Sequence, residues 1–512
     1  MRSAPGPGLR HGCEPLAAAR VRRSGNDSGW RTARPIALQP RDAIHAPLRA
    51  DAGASRRGYG DPRTGSVNLD PRATTFVVLS FEGPDAYSQA GGLGVRVRGL
   101  TRALARLGYS TYLYFCGDPD LPGEEDVEGG RLHLRRWCQW ISAQHRGGVY
   151  DGEEGKIRDW NYSLPSSLIE NVIEPAVKAG QHMVILGEEW HTSWSMRLIS
   201  DALYYRGIRD RAVMLWNANN TYGFDRIDWA ALNLASTVTT VSRYMKFRMW
   251  EWGQNPIVIP NGIPSESIVE ADPQVSSGLR SAAGAEHLWF KIGRFDPDKR
   301  WLMAVSAAAL LKRRGRSVKL LIRGGREPHG AEVIGHAINQ GLIVRSSASP
   351  ANAEELGTLL SATNGADVIN LTSFVDESLV PLIYSACDAV LANSGHEPFG
   401  LVGLEVMAAG GIAVTGATGE DYAEAYRNAV VVETDDPVEI VTELAALKEK
   451  PRLAAHIRRR GRVTARDYRW PKVIDQLMLR IEFAAERQAV SLPPEPAPRK
   501  PRRVVGATIP RT

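Results

Sequence analysis

Asn393-Ser394-Gly395-His396-Glu397-Pro398-Phe399-Gly400-Leu401-Val402-Gly403-Leu404-Glu405-Val406-Met407-Ala408-Ala409-Gly410 is the stretch on which the reading of this 512-residue chain turns. The apolar run 389–392 just before it predicts a strand, and the stretch itself opens a helix near Phe399 or Gly400. A helix start leaves its first-turn N–H groups unpartnered and carries the positive end of the dipole, so Pro398, Phe399, Gly400 and Leu401 mark a place for a phosphate. Glu397 stands just ahead of that turn and Glu405 a turn or more beyond it, at about 1.5 Å per residue. Carboxylates accept hydrogen bonds from paired hydroxyls, so two at this separation suit the two ends of an extended polyhydroxylated ligand.

Outward from this segment, short apolar runs alternate with helical patterns, the signature of a parallel sheet covered on both faces. Strands are predicted at 75–80, 110–115, 182–186, 212–217 and 237–241, then at 288–292, 318–322, 368–371, 389–392, 412–415 and 429–432. Pro260-Asn261-Gly262-Ile263-Pro264 lies between the two series and reads as a hinge. The expected architecture is α/β: two doubly wound domains, 74–262 and 263–470, facing across a cleft. Ligands of such sheets bind beyond the carboxyl ends of the strands, so chemistry is sought there.

The ends of the chain differ from this pattern. Residues 1–73 are rich in Gly, Pro, Ser and Arg without a sustained apolar period and read as a disordered leader, with an organelle transit peptide or a later start near Val67 as alternatives. Residues 491–512 form a basic, Pro-rich tail. The leader carries 13 Arg against 6 acids and the tail 5 basic residues against 1 acid, so the net charge of +6 leaves the part between them acidic. That argues against a nucleic-acid groove in the folded part. No apolar run approaches the roughly 20 residues of a spanning helix, and no secretory signal follows the first arginines. The cytoplasm is the expected location, with peripheral membrane contact left open. Cys13, Cys116, Cys138 and Cys387 are widely spaced, without the pairing of a zinc site.

A second constellation, Ile292-Gly293-Arg294-Phe295-Asp296-Pro297-Asp298-Lys299-Arg300, follows the first strand of the second half. Arg294 and Lys299 can converge on a diphosphate, where fixed cations stabilise charge gained as a bond to it breaks, so that a metal is unnecessary. In the first half, the Gly-rich loop Ser88-Gln89-Ala90-Gly91-Gly92-Leu93-Gly94-Val95 precedes a helical run from Val97 to Leu107, and its glycines allow a phosphate or sugar close to the backbone. Leu186-Gly187-Glu188-Glu189-Trp190-His191-Thr192 closes a strand and offers His191 as a hydrogen-bond donor to the ligand. Aromatic residues between Trp137 and Trp229 suggest a sugar-stacking surface as well as core, and the charged stretch 147–160 reads as an exposed insertion loop.

Two Glu separated by seven residues, with Pro-Phe-Gly after the first, resemble the donor motif of retaining GT-B glycosyltransferases of family four, also called glycosyltransferase group 1. The Gly-Arg-x-x-x-x-Lys element is similar to the one that grips the donor diphosphate there. The resemblance implies a GT-B fold with Rossmann-like domains, the first for the acceptor and the second for the donor, and a helix at 471–490 crossing back onto the first. It implies a hexose donor in the form of a nucleotide-diphosphate sugar as co-substrate, no cofactor and no metal, with a carbohydrate or other hydroxyl acceptor. Arg294, Lys299, Glu397 and His191 carry the catalytic roles in this reading; Gly91, Gly92, Leu93, Pro398, Phe399, Gly400, Leu401 and Glu405 bind substrate. The Gly-Gly-Leu loop and the Trp-His-Thr segment are similar to those of glycogen and starch synthases, which have Lys where this chain has Gln89 and Asp where it has Glu189. Segment 217–222 lacks the family's His-Asn pair and 415–420 its Gly-Gly-Ile-Pro run. An α-glucan synthase, a nucleotide-sugar epimerase and a non-catalytic nucleotide-sugar-binding protein remain alternatives.

Overall fold

The computed structural model describes residues 69–492 except 270. The segments expected to be a disordered leader (1–73) and a basic tail (491–512), and Cys13 with them, fall almost wholly outside the described residues. Leu69 is buried and its carbonyl accepts the Tyr109 hydroxyl at 2.8 Å, so the first domain includes residues before the expected boundary at 74.

The first sheet contains β1 (Thr74–Leu79), β2 (Ser110–Cys116), β3 (Glu124–Val127), β4 (Leu132–Trp137), β5 (His182–Glu188), β6 (Ala212–Ala218), β7 (Thr237–Thr240) and β8 (Ile257–Val258). Their order is β3-β4-β2-β1-β5-β6-β7-β8, parallel throughout except for the β3–β4 edge pair. The second contains β9 (His287–Ile292), β10 (Val318–Arg323), β11 (Val344–Ser347), β12 (Val368–Leu371), β13 (Ala389–Ala392), β14 (Ala413–Thr415) and β15 (Val430–Val431), in the order β11-β12-β10-β9-β13-β14-β15, all parallel. In both, the first strand lies inside the sheet and the chain winds outward in two directions, which makes two Rossmann-like α/β domains. The central strands are solid apolar runs because helices bury both faces.

The helix Trp470–Arg487 returns to the first domain, setting Trp470, Val473, Leu477 and Ile481 among Val78, Leu100, Leu113 and Leu215. Gly99 and Gly262 make room for it, since a side chain at either would collide with the Trp470 ring. Tyr468 and Trp470 pair with Ile263 through backbone hydrogen bonds of 2.9 and 3.0 Å, beside the hinge.

The stretch 147–160 is only in part the expected exposed loop: 147–152 form a turn with Gly147, Tyr150 and Asp151 exposed, and the rest is helical. Glu153–Leu168 is a helix whose first-turn acids, Glu153 and Glu154, suit the positive end of its dipole, while Lys156 and Trp160 are fully buried. Trp160 Nε1 donates to Ser195 Oγ at 3.0 Å, and the Lys156 ammonium is satisfied by Tyr87 Oη and the Gly148 and Val149 carbonyls. No helix of the described residues is long and apolar enough to cross a membrane.

Candidate active site

The second domain gathers its predicted residues at the carboxyl ends of β9 and β13. After β9 the chain turns through Arg294 to a short helical turn, Pro297–Lys299, capped by the Asp296 carboxylate on Asp298 N. This turn brings the Lys299 ammonium onto Glu397 Oε2, which also accepts Ser394 Oγ at 2.9 Å. The Glu397 backbone is fixed in turn by Thr418: Glu397 N donates to Thr418 Oγ1 at 2.9 Å, and Gly419 N donates to Glu397 O at 2.8 Å. Arg294 is exposed and shows no ion-pair partner among the described residues.

Gly400, at φ 80°, ends this loop and begins the helix Leu401–Ala408. It is the kind of position that only glycine adopts without strain, and a Cβ there would press on Glu420 and Tyr422. With no side chain capping that helix, its first-turn N–H groups stay available. Pro398 and Leu401 are partly buried beside it. The Phe399 side chain is buried against Tyr422 and Tyr468, at ring distances of 5.7 and 6.1 Å, and anchors the loop in the core, which leaves its backbone as the part that could face a ligand. Glu405 is partly exposed, accepts Tyr384 Oη at 3.5 Å, and is raised to about 7 by burial.

Two buried groups here were missed from sequence. Glu420 is raised to about 8 by burial and by the neighbouring Glu397 charge. Lys291, inside β9, is held well below the usual lysine range by burial, and donates to Leu391 O at 2.9 Å and Asn393 Oδ1 at 2.7 Å. A lone Lys in the run Leu288-Trp289-Phe290-Lys291-Ile292 was the available signal. The strut it forms sets the position of Asn393 and, through it, of the Ser394–Glu397 loop.

The first domain is built differently. Glu189 has φ 65° outside glycine, is 2 % exposed, and is pushed by burial to about 8. His191 is 4 % exposed, stacks on Phe81 at 4.3 Å and gives Nε2 to Glu153 at 2.8 Å; burial lowers its pKa against that carboxylate. Its Nδ1 and Glu189 Oε2 have no hydrogen-bond partner among the described residues. His191 bonds within the first domain and Lys299 and Glu397 within the second, so the catalytic residues read from sequence come from both domains. In the Gly-rich loop, Gly91 N and Gly94 N donate to Glu82 Oε2 at 2.9 and 3.0 Å, so Gly91 already holds a carboxylate where a ligand was expected. Leu93 is buried in the first-domain core. Only Gly92 of the three faces open space.

Below this loop lies a buried ion pair that sequence did not suggest. Arg96 Nε donates to Glu188 Oε1 at 3.0 Å, and its Nη1 donates to Asn261 Oδ1 in the hinge. Glu188 Oε2 accepts Asn217 Nδ2 at 2.8 Å and Asn219 Nδ2 at 2.9 Å. Between the domains, Tyr244 Oη meets His396 Nδ1 at 3.1 Å, and Arg98 pairs with Glu377 at 3.3 Å.

Residues 281–464 match the family described as Glycosyl transferases group 1. No curated protein matches the sequence. Among solved structures, the sucrose-phosphate synthase of Thermosynechococcus elongatus is similar at 19 % identity, covering 80 % of this chain and 100 % of its own, with a TM-score of 0.57. The catalytic domain of Arabidopsis thaliana starch synthase IV, bound to ADP and acarbose, is similar at 18 % identity over 81 % of this chain and 99 % of its own, TM-score 0.55. A trehalose-6-phosphate structure from E. coli bound with UDP-2-fluoro glucose is similar at 14 % identity over 80 % and 99 %, TM-score 0.54. At these identities the likeness establishes the fold. Residues 281–464 thus form a glycosyl transferases group 1 domain, and the chain as a whole carries the two-domain GT-B fold.

Proposed function

We propose that the chain transfers a hexose from a nucleotide-diphosphate sugar to a hydroxyl acceptor with retention of anomeric configuration, using no cofactor beyond that co-substrate. The observation that carries this reading is the Lys299–Glu397 pair, set beside the uncapped start of helix Leu401–Ala408 with Arg294 exposed nearby. The diphosphate takes the first-turn N–H groups and the two cations, which stabilise it most as it departs. Glu397 receives hexose hydroxyls and Glu405 the ribose. His191 offers its unpartnered Nδ1 from the first domain. The acceptor oxygen bonds to the anomeric carbon from the face the diphosphate leaves; the bond from that carbon to the diphosphate oxygen breaks, and the acceptor proton passes to a diphosphate oxygen. The ADP and UDP-sugar of the similar structures support a nucleotide-linked donor. The cytoplasm is the proposed location.

Nucleotide release from UDP-, ADP- and GDP-hexoses tests this reading, with wild type compared against Glu397→Ala and Arg294→Ala. Release from one donor, lost in both variants, supports it. Absence of release from every donor, or variants indistinguishable from wild type, overturns it.

A further inference from the structure

The end of β1 leads through Ser80 and Phe81 to Glu82, which is buried and has no ion-pair partner among the described residues. Its Oε2 accepts three backbone N–H groups at the start of helix Gly92–Arg106: Ala90 at 3.2 Å, Gly91 at 2.9 Å and Gly94 at 3.0 Å. Its Oε1 accepts Tyr150 Oη at 2.7 Å. A helix of this length with a glycine-rich approach is an anion site by geometry, and here the anion is supplied by the protein itself.

The surroundings are acidic. Glu82, Glu153 and Glu189 all act on Tyr150, whose ring lies 5.7 Å from that of His191. The cations close to these groups are committed elsewhere. Lys156 is enclosed by Tyr87 and two carbonyls, and Arg226 pairs with Glu154 at 2.7 Å while lying over the Trp190 ring at 4.1 Å. The unpartnered atoms here, Glu189 Oε2, His191 Nδ1 and Trp190 Nε1, belong to side chains more than nine-tenths buried. They are suited to hydroxyls, which both donate and accept.

We infer that Glu82 is a specificity-determining residue: by filling the helix start after the Gly-rich loop, it makes the first-domain side of the cleft select an uncharged polyhydroxylated acceptor and reject one bearing phosphate or carboxylate at the reacting end. This rests on the transfer reading above. A negative group brought to that loop meets a carboxylate already holding the N–H donors, and like-charge juxtaposition is a strong means of exclusion.

The test uses the full chain with its preferred donor and two acceptor pairs, glucose against glucose 6-phosphate and fructose against fructose 6-phosphate. Inorganic phosphate is titrated separately, with tryptophan fluorescence as the readout. Wild type is expected to respond to the uncharged member of a pair by about tenfold or more over its phosphate, with no saturable response to inorganic phosphate. Glu82→Gln keeps an acceptor for the N–H groups and is expected to narrow the discrimination. Glu82→Ala frees the helix start and is expected to gain saturable phosphate binding, an effect that mere loosening of the fold would not produce. Wild-type preference for the phosphorylated member overturns the inference, as does phosphate behaviour in both folded variants identical to wild type. Should Glu82→Ala fail to fold, Glu82→Gln decides. Failure of the donor reading shows separately, as nucleotide release insensitive to Arg294→Ala, and leaves the phosphate titration to judge Glu82 alone.

Discussion

The helices Leu401–Ala408 and Gly92–Arg106 start in the same way, each after a strand and a glycine, with no side-chain cap from the N-cap residue. Their electrical settings are opposite. Beside the first stand Arg294 and the Lys299–Glu397 pair; the second is stopped by the Glu82 carboxylate, with Glu153 and Glu189 close by. A glycine before a helix therefore announces that donors are free to be used, and the residue at the preceding strand end decides whether a ligand or the protein uses them. On the transfer proposed above this division is apt: it would set a charged leaving group in one domain and the hydroxyl that replaces it in the other.

The largest expected effect lies on the open side. Arg294→Ala and Glu397→Ala should each lower nucleotide release by about 10²–10³-fold, the usual consequence of removing a preorganised charge at a reacting group. Retention of near-wild-type rates would erase the contrast between the two helix starts. Next is the ion pair beneath the stopped helix. Arg96→Met strands the buried Glu188 charge and frees Asn261, and is expected to cost about 3–5 kcal/mol in denaturant unfolding. The double variant with Glu188→Met should recover most of that, and a double variant as unstable as the single one would show that the pair itself is not what matters.

A pH series sharpens the comparison further. Burial raises Glu405 to about 7 and Glu420 to about 8, whereas a solvated Glu sits at about 4.3. The folded state therefore holds protons that the unfolded state has lost, so stability falls as pH rises from about 4 to about 8. In Glu420→Gln the decline of Tm between pH 5 and pH 8 should be shallower and the Tm at pH 8 higher; an unchanged slope would assign the effect elsewhere, with Glu189, at about 8 in the first domain, the natural candidate. The smallest effect belongs to Tyr150→Phe, which removes one hydrogen bond to Glu82 and should cost about 1 kcal/mol. A loss several times larger would mean that Tyr150 holds the carboxylate in place on its own.

Sequence disclosed the second domain more fully than the first. Strands 368–371 and 389–392 match β12 and β13 residue for residue because they are apolar runs bounded by turn residues. Lys299 and Glu397 were both singled out because each follows a strand end, but for different parts of the ligand; their ion pair is a finding of the structure. By contrast β3, with its Glu124-Glu125-Asp126 run, is an exposed edge strand whose ladder comes from β4 and not from burial, and β11 is likewise only partly buried. The helix Glu153–Leu168 was hidden by acids that are favourable at its start and look like a loop in a linear string. Phe399 and Leu93 were assigned to ligand although apolar side chains beside a glycine turn more readily fill the core behind it. Glu82 carried a usable signal, an acid directly between a strand and a Gly-rich loop, while the union of Arg96 with Glu188 and Asn261 joins residues far apart in the chain and has none.

The Trp470 ring seated against Gly99 and Gly262 has a consequence for biosynthesis. A ribosome releases the first sheet long before it releases the helix that covers it, so the nascent first domain waits with Val78, Leu100 and Leu113 uncovered while the whole second domain emerges and folds. Until that helix arrives, the face it will cover is exposed apolar surface of the kind that makes partly synthesised chains prone to association.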